Sequence, residues 1–156
     1  MSRKEERAPA TFTNTVDIQG EARLQTLPTK AVAAGGTTTL TSADSGKVIL
    51  LAPNAAVCVL PAPSVGLHFT IVSTGAFDTT KSEVRTDAGT SLFRGGSSAK
   101  NGANCAKPGS DDDRAEFLAG TEAGDHIEVI CISTTEWFVR GIASTSTSIT
   151  YTDGGS

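Results

Sequence analysis

The sequence predicts an all-β fold, and three observations support this prediction. Its 156 residues include 22 Thr and 16 Gly, and a chain rich in β-branched residues and glycine favours strands and tight turns. Short apolar or alternating runs recur about every 8–12 residues with turn residues between them, as in β-sandwiches and barrels. No long window keeps a helical period. We therefore expect a single antiparallel β-sandwich or barrel-like domain, of the jelly-roll or β-tulip type, with an extended N-terminal arm.

Residues 1–36 are predicted to form the arm, and residues 37–156 the folded body. The first segment is rich in charge and sparse in apolar residues, so it cannot bury enough surface to fold alone. Either it is a disordered leader, or it docks on a neighbouring subunit as an added strand. The arm residues expected to make such contacts are Phe12, Val16, Ile18, Leu24 and Leu27. The first three share one face of an extended chain.

The body begins with closely spaced strands. Residues 37–41 are β-branched, and the Ser-Ala-Asp-Ser-Gly that follows is a turn sequence. Two apolar runs, 47–52 and 55–60, flank a Pro-Asn pair, which suggests an antiparallel hairpin. Residues 67–73 then alternate between apolar and polar, as in a half-buried strand.

The second half has a less regular pattern. Its strands are predicted at 83–86, 91–94, 114–118, 127–133, 137–142 and 148–152. Between them, residues 95–113 are rich in glycine and aspartate, which predicts a long surface loop. The strand at 127–133 is apolar on both faces and is predicted to form a hairpin with 137–142. The residues expected to anchor the core are Phe69, Ile71, Ile127, Val129 and Trp137.

Charge and composition exclude several classes of function. The net charge is −4 and aromatic residues make up 5% of the chain, whereas nucleic-acid binding needs a concentrated basic surface or stacking platforms. The longest apolar run, 48–53, is too short to span a bilayer. The N-terminus lacks the apolar stretch of a secretory signal. Cys58, Cys105 and Cys131 are odd in number and widely spaced, which favours reduced thiols in a cytoplasm.

The residues that carry chemistry form no recognisable catalytic or metal-binding pattern. His68 and His126 are interpreted as surface or edge residues, and Asp111–Asp113 as a solvated loop and not a cation site. The glycine pairs lack the context of a phosphate loop. Nucleotide pyrophosphatases of the deoxyuridine triphosphate type are small all-β trimers, but Tyr151 is the only tyrosine and their motifs are missing. We therefore expect no enzyme, no cofactor and no metal.

Three segments of the body resemble virion proteins of tailed bacteriophages. The sequence Thr-Leu-Thr-Ser-Ala-Asp-Ser-Gly-Lys followed by an apolar strand covers 39–51, and a strand ending in Leu-Pro lies within 57–63. A Gly-Leu-His-Phe strand follows at 66–72, and Gly-Asp-His-Ile-Glu with Trp-Phe-Val-Arg-Gly looks like the closing hairpin. The resemblance spans about 37–143, and head decoration (cement) proteins, head fibres and tail-fibre tips all carry such domains.

This resemblance implies a structural function. We expect a decoration protein that binds the exterior of an assembled capsid, is assembled in the host cytoplasm, contacts the major capsid protein and forms a homotrimer. The chain carries no heptads or shaft repeat of the kind that fibre proteins usually add. The alternatives are a head-fibre or receptor-binding tip, whose 95–113 loop would touch a host surface, and an unrelated β-sandwich binding module.

Overall fold

The computed structural model describes residues 27–86, 91–103 and 106–154, and these residues are almost entirely β-structure. The only helical element in these ranges is a single 3-10 turn at Ser42–Asp44. The strands are β1 Thr29–Val32, β2 Thr37–Thr39, β3 Val48–Leu51, β4 Val57–Val59, β5 His68–Ser73, β6 Ser82–Arg85, β7 Leu92–Ala99, β8 Arg114–Phe117, β9 His126–Cys131, β10 Glu136–Ala143 and β11 Ile149–Thr152. The all-β prediction is confirmed.

The strands form two mixed sheets. The six-stranded sheet has the order β1-β3-β5-β9-β10-β7, and the five-stranded sheet has the order β11-β8-β6-β4-β2. From β1 to β6 the chain alternates between the sheets, so β1, β3 and β5 are parallel neighbours in one, and β2, β4 and β6 in the other. The prediction of an antiparallel domain is therefore wrong. Within the described ranges neither sheet closes into a barrel.

The hairpin predicted across the Pro-Asn pair does not form. β3 and β4 lie in different sheets, and the chain between them passes through Asn54 and Ala55, both with positive φ values of 67° and 62°. Two successive left-handed residues redirect the chain, so β3 pairs with β1 and β5. The closing hairpin is confirmed, because β9 and β10 pair antiparallel, with Trp137 opposite Cys131.

Two predicted boundaries also change. β1 lies inside the segment assigned to the arm and pairs along its whole length with β3, so the folded body begins by Thr29. β7 continues through Gly95 and Gly96 into the segment assigned to a loop. A Cβ atom on Gly95 would lie 2.0 Å from the carbonyl oxygen of Val139, so glycine here permits close strand pairing and does not mark a loop.

Both sheets contribute to one hydrophobic cluster. The five expected anchors, Phe69, Ile71, Ile127, Val129 and Trp137, are all buried, each with at most 1% of its surface exposed. The rings of Phe69 and Trp137 pack with their centroids 6.1 Å apart at 44°. Phe69 is on β5 and Trp137 is on β10, with β9 between them. Because both rings pack inward, the alternate side chains of these strands point outward.

Candidate protein-binding face

The outer face of the five-stranded sheet is charged, and its charges are paired. Glu83 and Glu116 lie directly opposite each other on β6 and β8. Lys81 forms an ion pair with Glu116, while Arg85 and Arg114 lie 3.6 Å and 3.8 Å from the Glu83 carboxylate. A face whose charges are already paired with one another gains little by binding a partner through those charges.

The outer face of the six-stranded sheet has a different composition. Strand register places its outward side chains in three rows across the sheet. The rows are His68–Ile130–Phe138–Arg94, Val48–Thr70–Glu128–Arg140–Gly96, and Leu50–Val72–His126–Ile142–Ser98. The first and third rows thus carry most of the apolar residues. The middle row between them carries the charged pair, Glu128 and Arg140.

We call this surface the apolar face; its apolar members are Val48, Leu50, Val72, Ile130, Ile132, Phe138 and Ile142. Three of them are among the large hydrophobic side chains that remain exposed: Phe138 at 37%, Ile142 at 44% and Ile132 at 47%. The other four are half-buried. Exposed apolar side chains grouped on both sides of a charged pair, on one face of a sheet, are typical of an interaction site.

Two shallow grooves run over the apolar face. One of about 400 Å³ lies above β7, β9 and β10, and one of about 210 Å³ lies above β5 and β9. Glu128 and Arg140 form an ion pair that borders both grooves. Gly96, directly beside Arg140 on β7, presents no side chain and deepens the larger groove. These grooves can accept side chains of a protein partner, with one central polar pair that sets orientation.

A buried carboxylate holds one end of the apolar face together. Asp125 is fully buried and accepts hydrogen bonds from the Ser144 hydroxyl at 2.7 Å, the Ser144 amide at 2.8 Å and the Glu122 amide at 3.1 Å. The Lys100 ammonium lies 3.0 Å away. Burial by itself would raise the pKa of Asp125, but these hydrogen bonds outweigh it and lower the pKa. The carboxylate thereby ties together the ends of β7, β9 and β10.

The other end of the six-stranded sheet is the edge strand β1. Lys30 reaches across to Asp44, with 2.7 Å between nitrogen and oxygen, and Lys47 binds the other carboxylate oxygen at the same distance. The hydrogen bond from Lys30, then those from Lys47 and Thr41, hold the pKa of Asp44 far below its ordinary value. β1 is thus fixed to the body by an ion pair as well as by strand pairing.

The arm residues are only partly within the described ranges. Leu27 lies two residues before β1 and is 68% exposed. Phe12, Val16, Ile18 and Leu24 lie outside the described residues. The structure therefore places Leu27, the first described residue, next to the edge strand of the sheet that carries the apolar face.

The predicted polar residues do not come together as a chemical site. His68 and His126 both lie on the apolar face, two rows apart, and the ring of His126 bonds the Gly124 carbonyl at 3.0 Å. In the aspartate run, Asp112 accepts a hydrogen bond from the Gly109 amide and Asp113 one from the Gly154 amide. Across the described ranges, no three His, Cys, Asp or Glu side chains are grouped so that they could hold a metal ion.

Two of the three cysteines are in the described ranges, and both are buried free thiols. Burial raises the pKa of Cys58 to about 12 and also raises the pKa of Cys131. A thiol held protonated in this way is a poor nucleophile and metal ligand. Both residues serve as small core side chains. Cys105 lies outside the described residues.

Sequence reasoning missed the residues of the apolar face. Its signal was present in the strand at 127–133, where Ile130 and Ile132 add apolar side chains to the face opposite Ile127 and Val129. A strand with one solvated face alternates polar and apolar residues, so this departure marks a covered or binding surface. Phe138 and Ile142 repeat the same departure on the partner strand.

No protein-family model matches the sequence, and no curated protein is significantly similar to it. None of the described residues belongs to a helix with the length and hydrophobicity needed to cross a membrane.

Proposed function

We propose that this chain is a structural protein of a tailed-bacteriophage virion, a decoration protein that binds the outside of the assembled capsid and stabilises it. The observation that supports this proposal best is the difference between the two outer faces. One is charged and internally paired, while the other exposes Ile132, Phe138 and Ile142 on the sheet whose edge strand, β1, follows the proposed arm. The resemblance of residues 37–143 to phage virion proteins supplies the class of partner, the major capsid protein.

The proposal extends to the shape and assembly of the chain. Because side chains of both sheets enter one hydrophobic cluster, we take the two sheets to pack as a sandwich, with residues 1–26 as the arm. The protein acts without catalysis, as a homotrimer on the capsid exterior, after assembly in the host cytoplasm.

Stabilisation of the capsid follows from linkage. A protein that binds the assembled shell and not its dissociated subunits shifts the equilibrium toward the shell by mass action. Each copy contributes an arm and an apolar face, so loss of one contact leaves the other to hold the copy in place. Two linked contacts of modest strength raise the overall affinity well above that of either.

Deletion of residues 2–26 tests the contribution of the arm. The truncated protein retains Leu27, Pro28, all of β1 and the Lys30–Asp44 ion pair, so we expect it to fold and to unfold cooperatively on heating. Its affinity for purified shells that lack the protein should fall about a hundredfold, the effect of losing one of two linked contacts. Co-sedimentation with shells over a concentration series measures this affinity.

The deletion must stop before β1, because removing residues through Lys30 would also remove half of this strand and its ion pair with Asp44. Two full-length variants provide the matched comparison. Serine at Phe12, Val16 and Ile18 should reproduce the loss, whereas serine at Thr11, Thr13 and Thr15, on the opposite side of an extended chain, should bind normally. Saturation of shells by the truncated protein at the normal concentration would show that the arm is not a capsid contact.

A further inference from the structure

The apolar face has no cover among the described residues. Ile132, Phe138 and Ile142 are each more than a third exposed, and they lie beside four half-buried aliphatic side chains of β3, β5 and β9. Several exposed apolar side chains on one face favour association or aggregation of a free protein. A segment that shields it before a partner arrives would keep the free protein soluble.

The chain itself has a segment that begins at the right place. Residues 1–26 join the described part at Leu27, two residues before β1, the edge strand of the same sheet. Phe138 and Ile142 are on β10, four strand positions from β1, which corresponds to about 19 Å across the sheet. The eleven peptide units from Ile18 to Thr29 can span up to about 36 Å. The segment is therefore long enough to lie over every strand from β1 to β10.

The side-chain pattern of this segment also fits. In an extended chain Phe12, Val16 and Ile18 point to one side, while threonines and Asp17 point to the other. Such a segment can place its apolar side on the sheet and its polar side in water. A tether of this length gives an effective concentration of about a millimolar, so a copy's own segment has the advantage over another copy in dilute solution.

We infer that in the free protein residues 10–26 of each chain lie across the apolar face of the same chain and cover it. The occupant is the chain's own segment, and neither a second copy nor a capsid subunit. This inference goes beyond the proposed function and does not depend on it, because it concerns the protein alone in solution. If both hold, attachment to a shell exchanges the segment for capsid surface.

Photo-crosslinking of the full-length free protein tests the inference. A photoreactive phenylalanine analogue replaces Phe138, and equal amounts of ¹⁵N-labelled and unlabelled protein are mixed before irradiation. Mass spectrometry of the crosslinked peptides should join position 138 to residues 10–26 with both peptides carrying the same isotope. Pairs of mixed isotope, or crosslinks that omit residues 10–26, would overturn the inference, whatever the protein does on a capsid.

Matched variants separate specific docking from chance encounters of a tethered segment. The double variant Phe12→Asp and Val16→Asp should lower the yield of the crosslink at least tenfold, because loss of the two buried apolar side chains together weakens docking by a factor of about a hundred. Thr13→Asp with Thr15→Asp adds the same charges on the opposite side and should leave the yield unchanged. The analogue placed at Thr39, on the outer face of the five-stranded sheet, should give no crosslink to the segment. Equal yields from both double variants would contradict docking through the apolar side.

Discussion

Glutamate at both Phe138 and Ile142 should lower the affinity of the protein for assembled shells about a thousandfold, since residues central to an interface contribute on the order of 2 kcal/mol each. The reason is that capsid binding would bury two carboxylates that have no partner. Because the native side chains are 37% and 44% exposed, the variant should fold normally. Co-sedimentation with shells measures the affinity, and thermal unfolding measures the stability.

The control variant carries the same number of charges on the other sheet. Thr37 and Thr39 are exposed residues of β2, on the outer face of the five-stranded sheet, and glutamate at both should leave shell binding unchanged. If instead the two double variants bind shells equally well, the apolar face is not the capsid contact. An equal loss from both would indicate a general effect of negative charge.

Alanine at Asp125 should lower the free energy of unfolding by about 3 kcal/mol, because it leaves the Glu122 amide, the Ser144 amide and the Ser144 hydroxyl without their acceptor. This loss is at the lower end of the range for breaking a buried ion pair. The Lys100 side chain is 50% exposed, so water can solvate its ammonium group when the carboxylate is removed. Urea unfolding at neutral pH measures the change. Alanine at Asp78, an exposed carboxylate, should change the free energy by less than about 0.5 kcal/mol.

The same substitution should have a smaller effect in acid. The pKa of Asp125 is lower in the folded protein than the ordinary value of 3.8, so its ionised form stabilises the fold above that pH. This stabilisation is lost as the pH falls below about 4 toward the folded pKa. The native protein and the Asp125→Ala variant should therefore converge in stability as the pH is lowered. A difference that stays constant from pH 7 to pH 2 would contradict the role assigned to the carboxylate.

Local patterns predicted the strands better than they predicted how the strands pair. The alternation around Phe69 and Ile71 depends on neighbours in sequence, and so does the hairpin whose second strand contains Trp137. Both are present in the fold. The pairing of β3 with β1 and β5 depends on whether Asn54 and Ala55 turn the chain back or across to the other sheet. Both residues have positive φ values in the folded chain. Alanine does not favour positive φ, so the sequence gives no indication of this conformation at Ala55.

Glycine was the other source of error. Gly95 and Gly96 read as loop residues because glycine is most often a turn residue, yet here they let β7 approach the Val139 carbonyl closely. A strand that needs glycine for close approach and a loop that needs it for flexibility have the same composition. Only the position of the facing strand distinguishes them, and that position comes from the tertiary structure.

The apolar face was visible in part. Ile130 and Ile132 break the polar alternation expected of a strand with one solvated face, and Phe138 does so on the next strand. The sequence does not say that these residues lie in adjacent rows, since that requires the register between β9 and β10. It also gives no sign that the carboxylates and arginines of β6 and β8 pair with one another on the other sheet.

The number of copies of this chain in purified virus particles, relative to the major capsid protein, tests the central claim most directly. Quantitative mass spectrometry with labelled reference peptides from both proteins provides this ratio. A decoration protein that coats the shell predicts a ratio close to one. A ratio corresponding to only a few copies per particle would identify a fibre or tip protein instead, and absence from the particle would contradict a function in the virion.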